Sequence, residues 1–215
     1  MFFPEWGLRL SRVASGKITM ARNTDSIDYR KDYYTGPAGI YFNKVMRTII
    51  QIGNLQEEKG LILDYGCGVG HLKRKLPDQN VVGYDIIPEL SDVSNYKNLK
   101  PAKIVLSGVL EHLYLSEIEN LLIDFLGMNM ESELLVFLPT ENLVSRLAIF
   151  LTGQKHAHDD HITRCGDINR LIEQRYRIAA RRYVFFRMAQ ITKYSALPNR
   201  YSDSIAERIE SPVAG

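Results

Sequence analysis

The sequence predicts an α/β fold: a doubly wound, mostly parallel sheet with helices on both faces and an antiparallel strand at one border. Three observations predict it. The apolar run Leu61-Ile62-Leu63 ends in Asp64 and is followed by Gly66, Gly68 and Gly70. A second apolar run, Val81-Val82-Gly83-Tyr84, ends in Asp85. Further apolar runs at Ile104-Val105-Leu106 and at 134–138 alternate with stretches of helical period. Strand and helix in alternation imply parallel strands joined by right-handed crossovers. Such a sheet takes its ligand outside the carboxyl ends of the strands. Asp64, Asp85, Ser107 and Pro139 would all fall on that rim.

The elements follow in chain order. Residues 1–35 are polar and turn-rich, with Ile27, Tyr29, Tyr33 and Tyr34 as scattered anchors. Gly36-Pro37-Ala38-Gly39 predicts a break. A helix is expected over 40–56, where Ile40, Phe42, Val45, Met46, Ile49, Ile50 and Ile52 recur near helical period. Residues 61–63 read as a buried parallel strand, apolar on both faces. The glycines after it permit positive φ and let backbone N–H groups approach a ligand. A helix over 69–76 would aim its first N–H groups at that ligand. Asp85, closing the second strand, can accept two hydrogen bonds from a ribose diol.

Residues 86–100 are short and polar, enough for one helical turn and a stub strand, so the third-strand region is shortened. A strand at 104–106 and a helix over 113–128 come next. Ile118, Leu121, Leu122, Phe125 and Leu126 share one side of that helix, with Ser116 as its expected cap and Glu119 three residues on. A strand at 134–138, helices at 141–151 and 168–174, and an antiparallel pair at 178–180 and 184–194 complete the series. The chain thus divides into an N-terminal leader or lid (1–39), a main domain (40–197) and a mobile tail (198–215).

The glycine turn narrows the ligand. A dinucleotide fingerprint requires glycine where His71 stands, and a phosphate loop requires a lysine that Gly70-His71-Leu72 lacks. What remains is Asp64-Tyr65-Gly66-Cys67-Gly68-Val69-Gly70. It resembles the first motif of the class I S-adenosylmethionine-dependent methyltransferases of small-molecule type. Val109-Leu110-Glu111-His112-Leu113 is similar to that family's fourth-strand segment, and Leu134-Leu135-Val136-Phe137-Leu138-Pro139 to its fifth strand. The resemblance spans roughly residues 40–180.

The resemblance implies a Rossmann-like fold with S-adenosylmethionine as cofactor. It implies cofactor contacts from Asp64, Tyr65, Gly66, Cys67, Gly68 and Gly70 in the turn, from Asp85 and Ile86 after the second strand, and from Ser107 and Gly108 after the strand at 104–106. The family's acid at the start of its fourth strand corresponds to Ala102 or Lys103. Asp92, Ser107 and Gly108 are then the local candidates for adenine, with apolar contact from Ile86.

For the acceptor, His156, His158 and His161 cluster with Asp159 and Asp160. The resemblance places His161 in a loop that closes over the substrate. A histidine titrates near neutrality, so a general base oriented by a neighbouring acid is one reading. Metal ligation is another, although a short loop converges three or four ligands only with a special bend. A solvated loop is the third. The catalytic candidates are His161, His112 and His158, with no metal expected. His112 either touches substrate or is a buried histidine bonded to backbone. Tyr33 and Tyr34 either fold over the cofactor or form a satellite apolar cluster. Residues 181–188 mix bases with aromatics, which fits a membrane surface, an acidic acceptor or a charge-protected border strand.

Composition bounds the rest. A chain of 215 residues with 45% hydrophobic and 24% charged content suits one soluble domain. A net charge of +2 gives no electrostatic footprint for nucleic acid. Cys67 and Cys165 have no metal or redox spacing and fit a reducing cytoplasm. The start Met1-Phe2-Phe3-Pro4-Glu5-Trp6 does not read as a signal peptide, and no apolar window is long enough to span a bilayer. Weak surface association stays open, as does the oligomeric state. The expected function is methyl transfer to a small-molecule, sugar or lipid acceptor. The alternatives are a non-catalytic cofactor-binding module and a nucleotide- or NAD-binding enzyme.

Overall fold

The computed structural model describes residues 11–14, 17–19, 36–140 and 162–197. Two short strands, β1 (Ser11–Ala14) and β2 (Lys17–Thr19), pair antiparallel within the stretch expected as a leader. The main body then runs α1 (Gly36–Gly53), β3 (Ile62–Tyr65), α2 (His71–Lys75), β4 (Val81–Tyr84), β5 (Lys103–Ser107), α3 (Leu115–Met128), β6 (Glu133–Pro139), α4 (Cys165–Glu173), β7 (Tyr176–Val184) and β8 (Ala189–Ala196). The six strands of the main sheet lie in the order β4-β3-β5-β6-β8-β7. The first four are parallel, β8 is antiparallel to β6, and β7 is antiparallel to β8. This is the mixed, helix-covered sheet that the alternating pattern predicts.

The pleat sorts side chains onto two faces. Val105 and Leu135 point towards α1 and α2, where they meet Val45, Ile49 and Leu72. Ile104, Leu106, Leu134 and Val136 point the other way, against Phe125 of α3 and Ile168 and Ile172 of α4. The strands are therefore apolar on both faces, and each fully buried side chain contributes about 1.5–3 kcal/mol.

Helix α1 begins at Gly36, earlier than expected. Pro37 sits in the first turn, where a missing N–H leaves no intrahelical bond unmade. Val45, Met46, Ile49 and Ile50 are buried as the periodicity implies, but Ile40 is 70% exposed. Helix α2 is a short stub because Gly70, at φ 75°, still belongs to the turn. Helix α3 starts one residue after Tyr114, not under a Ser116 cap: the Tyr114 N–H donates to Glu117 Oε2 at 2.8 Å, which places Ser116 inside the first turn. The five apolar residues expected on the buried side of α3 are all buried.

The expected strand at 184–194 is interrupted. Phe185, Phe186 and Arg187 take φ of 49°, 51° and 66° and turn the chain between β7 and β8. Left-handed backbone costs about 1–2 kcal/mol per residue without glycine. Long-range contacts hold it: Thr140 N–H donates to Met188 O at 2.9 Å, the Thr140 hydroxyl donates to Arg187 O, and the Arg187 guanidinium lies 4.3 Å from the Tyr183 ring centre.

The interval after Asp85 forms no stub strand, and its helical turns are of 3₁₀ form. It holds two 3₁₀ turns, Pro88–Leu90 and Tyr96–Asn98. Tyr96 fills the space instead. Its ring lies 5.0 Å from Tyr65, 4.7 Å from Tyr84 and 6.2 Å from Phe125, and its hydroxyl donates to Asp124 at 2.9 Å. One aromatic side chain thus packs the face that a third strand and its helix would cover.

Candidate active site

The turn from β3 to α2 carries the candidate site. Gly66, Gly68 and Gly70 all have positive φ, at 75°, 50° and 75°. The N–H groups of Gly66 and Cys67 donate to Tyr84 O at 2.7 and 3.1 Å, tying the turn to the end of β4. A Cβ on Gly66 would lie 2.4 Å from Val109 Cγ2, so the turn packs directly on the segment after β5. Above Gly68 and Gly70 a Cβ would meet nothing within 4 Å. The turn is therefore closed beneath and open above.

Asp85 reaches into this turn. Its Oδ2 accepts from Gly68 N–H at 2.9 Å and its Oδ1 from Ile87 N–H at 3.0 Å. Its own N–H donates to Ser91 Oγ at 3.2 Å, and that hydroxyl donates to Val93 O at 2.7 Å. Ser91, which the sequence reading did not single out, thus fixes the acid. Ile86 beside it is 65% exposed.

Asp64 is buried at the end of β3, and its carboxyl is pushed up to about 7. Burial is the main cause, followed by the charges of Asp85 and Asp92. Tyr65 packs into the aromatic cluster under the turn, and burial raises its hydroxyl. Cys67 Sγ lies 3.3 Å from Leu90 O, and burial, reinforced by the nearby acids, pushes the thiol up to about 12. A thiol held neutral in this way is a packing group and not a nucleophile.

Asp92, considered above for adenine, has its carboxylate engaged elsewhere. Its Oδ2 accepts from Gly83 N–H at 2.7 Å, and both oxygens meet Lys73 Nζ at 3.0 and 2.9 Å. The Gly83 N–H is the main reason its carboxyl stays below the ordinary range. Asp92→Ala is expected to cost about 1–2 kcal/mol in urea unfolding, through a lost charge-assisted bond to backbone. Lys73→Ala should cost under about 1 kcal/mol, because that ion pair is solvent-exposed. Equal costs would mean that the surface pair, and not the backbone bond, holds the loop.

The opposite wall follows β5. Ser107 and Gly108 are half-buried, and Gly108 has φ 75°. The 3₁₀ turn Leu110–His112 comes next, with Leu110 and Glu111 buried and His112 exposed. Of the two readings of His112, the buried histidine bonded to backbone is not met, because the turn leaves its side chain exposed. Glu111 is only 5% exposed, and its Oε2 has no hydrogen-bond partner among the described residues. Burial holds its carboxyl above the ordinary range. An unsatisfied buried oxygen costs about 1–3 kcal/mol. The Glu111 carbonyl accepts from Ile162 and Thr163 N–H at 2.8 and 3.2 Å, and Thr163 Oγ1 donates to Leu113 O at 2.5 Å. The hydroxyl of Tyr41, on α1, is pushed up to about 12 by burial and then by the charge of Glu111.

The structure thus brings together Asp64, the three glycines, Cys67 and Asp85, with Val109 closing the turn from the β5 side. His156, His158, His161, Tyr33, Tyr34 and the helix expected at 141–151 lie outside the described residues. Among the described residues no group of three or more His, Cys, Asp or Glu is placed to hold a metal. In the late basic stretch, Arg181 pairs with Glu173 at 3.0 Å and donates to Thr192 Oγ1 at 3.1 Å, so it secures β7 against α4 and β8.

No protein-family model matches the chain, and no curated protein sequence matches it. Solved structures do. The N-methyltransferase NodS of Bradyrhizobium japonicum WM9, in complex with S-adenosylhomocysteine, is 12% identical with a TM-score of 0.56, over 78% of this chain and 94% of that one. Magnesium protoporphyrin IX methyltransferase (ChlM) of Synechocystis PCC 6803, with the same product bound, is 18% identical with a TM-score of 0.51, over 74% and 83%. The small RNA methyltransferase HEN1 aligns at 15% identity with a TM-score of 0.55, over 78% of this chain but 26% of its own. Strand order, glycine turn and these alignments agree: this chain has the fold of the class I S-adenosylmethionine-dependent methyltransferases.

Proposed function

We propose that this chain transfers the methyl group of S-adenosylmethionine to a small-molecule, sugar or lipid acceptor. One observation carries the reading. The Gly68 amide and the Asp85 carboxylate meet at 2.9 Å on the carboxyl rim of β3 and β4, beneath space that a Cβ at Gly68 or Gly70 would enter unopposed. That cradle fits a nucleoside with a compact polar tail. Each Asp85 oxygen already accepts one backbone N–H, and its second lone pair remains for a ribose hydroxyl. On this reading the turn and Asp64 take the methionine end, exposed Ile86 offers adenine an apolar surface, and Ser107 and Gly108, after β5 on the same rim, are further candidates for contact.

When bound, the cofactor supplies a methyl group already activated on a sulfonium. The chain's task is to exclude water and hold the acceptor nucleophile in line at roughly 3–3.5 Å. A base serves only acceptors that must lose a proton. His112, His158 and His161 are the candidates for contact there, and the chemistry requires no metal. The named activities of NodS and ChlM support a small acceptor. The net charge of +2 supports no polyanionic one. Among the described residues no helix is long and apolar enough to cross a membrane. Cys67 and Cys165 are not disulfide-bonded, which fits the cytoplasm.

Calorimetry tests the reading. S-adenosylmethionine should bind saturably and NAD should not, since His71 occupies the third glycine position of a dinucleotide turn. Asp85→Ala should weaken the methyl donor about 10- to 100-fold, or about 1.4–3 kcal/mol. Unchanged affinity in that variant would remove the ribose assignment. The truncated interval after Asp85 favours a second reading, a binding module without turnover. Donor binding with no labelled methyl passing to any small-molecule fraction would select it.

A further inference from the structure

We propose that Glu111 is the acceptor-binding carboxyl, its Oε2 taking a hydrogen bond from an O–H or N–H group of the molecule seated beyond the ends of β5 and β6. The naming of that molecule as methyl acceptor rests on the methyl-transfer reading; the site itself does not.

Four observations converge on it. Glu111 is buried, yet its Oε2 has no hydrogen-bond partner among the described residues, so an oxygen that can bind a donor is shielded from water without being used there. A carboxylate buried for structural reasons is paired with a cation or fully hydrogen-bonded; the adjacent, exposed His112 offsets the charge of Glu111 in part, and burial outweighs it. Its position is on the rim. Its Oε1 lies 3.8 Å from where a Cβ of Gly108 would stand, which sets the carboxyl against the Gly108 backbone that follows β5. The Tyr41 hydroxyl feels the charge of Glu111, and the Tyr41 ring lies 6.5 Å from Phe137 near the end of β6. Finally, its backbone is held rigidly: the carbonyl takes both Ile162 and Thr163 N–H, and Leu110 beside it is fully buried. A fixed, dry, unsatisfied acceptor on a ligand-binding rim is preorganised for a donor that arrives with the ligand.

The experiment uses the full chain saturated with S-adenosylhomocysteine. Phenol, glycerol, ethanolamine and methylamine are titrated as donor-bearing probes, with anisole as the donor-free control. Amide shifts of Gly108, His112, Ile162 and Thr163 report occupancy. At least one donor-bearing probe should shift these amides saturably. Glu111→Leu should weaken that probe about tenfold or more and leave anisole and S-adenosylhomocysteine affinity unchanged. Glu111→Gln, which keeps the shape, should weaken it about threefold or more, and it decides the matter if the leucine variant does not fold. No probe shifting these amides, or equal binding by the natural chain and the variants, overturns the proposal. Failure of S-adenosylhomocysteine to bind the natural chain overturns the methyl-transfer reading instead, and the probe titration then judges Glu111 alone.

Discussion

Asp64→Asn should unfold at a higher temperature than the natural chain at pH 8 and at nearly the same temperature at pH 3.5. The sign follows from the buried carboxyl, raised from 3.8 to about 7 by burial and by Asp85 and Asp92. Between those values the folded chain holds a proton that the unfolded chain has released. Folding stability therefore falls as pH rises through this window and is lowest above it. The displacement corresponds to at most about 4 kcal/mol. For a chain of this size each kcal/mol moves the melting temperature by about 2–4 °C. The asparagine carries no charge to desolvate, so it escapes the penalty. On the methyl-transfer reading it should also bind S-adenosylmethionine more weakly, and the natural chain should bind more tightly as pH rises through about 7. A melting difference independent of pH would show that Asp64 is not charged at a cost in the folded chain. Function would then have placed no strained acid beneath the turn.

Gly66→Ala is the second large effect. The substitution puts a Cβ on a residue at φ 75° and 2.4 Å from Val109 Cγ2. The left-handed backbone costs about 1–2 kcal/mol and the overpacking about 1–3 kcal/mol. Together they predict a loss of about 3 kcal/mol in denaturant unfolding. Adding Val109→Ala should recover the overpacking part and leave the backbone part. Gly68→Ala isolates the backbone part from the start, because a Cβ there meets nothing within 4 Å. It should cost about 1 kcal/mol in stability and still impair cofactor binding, since the new methyl enters the cradle. If the double variant were no more stable than Gly66→Ala, contact with Val109 would not be what closes the turn.

These two residues belong to the part of the site that was legible beforehand. Glycines at 66, 68 and 70 and acids at 64 and 85 are short-range grammar: a strand must end, turn and present amides within a few residues. The strands β3, β4, β5 and β6 were legible because burial on both faces demands unbroken apolar runs, and α3 because its apolar residues recur at helical spacing. What escaped depends on distant partners. The start of α1 was misplaced because a proline that breaks a helix interior is tolerated in a first turn. The turn at Phe185–Arg187 has no glycine to announce it and is held by Thr140, 47 residues away. Ser91 holds Asp85, and Glu111 keeps an unpaired oxygen, only because the fold brings other segments around them. No local pattern encodes either. His158 and His161, the sequence's candidates for the acceptor, lie outside the described residues, whereas Glu111 stands on a described wall.

The bond between Asp92 and Gly83 has a consequence for how the molecule meets its own kind. With no strand beside it among the described residues, β4 ends the sheet and would offer its outward amides as a template for a stranger's backbone. Gly83 N–H goes to Asp92 Oδ2, Gly83 O takes the Asp92 N–H, and the Val81 N–H is turned back onto Gln79 O. The loop that replaced a strand thus also occupies both outward backbone groups of Gly83, and this margin of the sheet is partly closed to another chain.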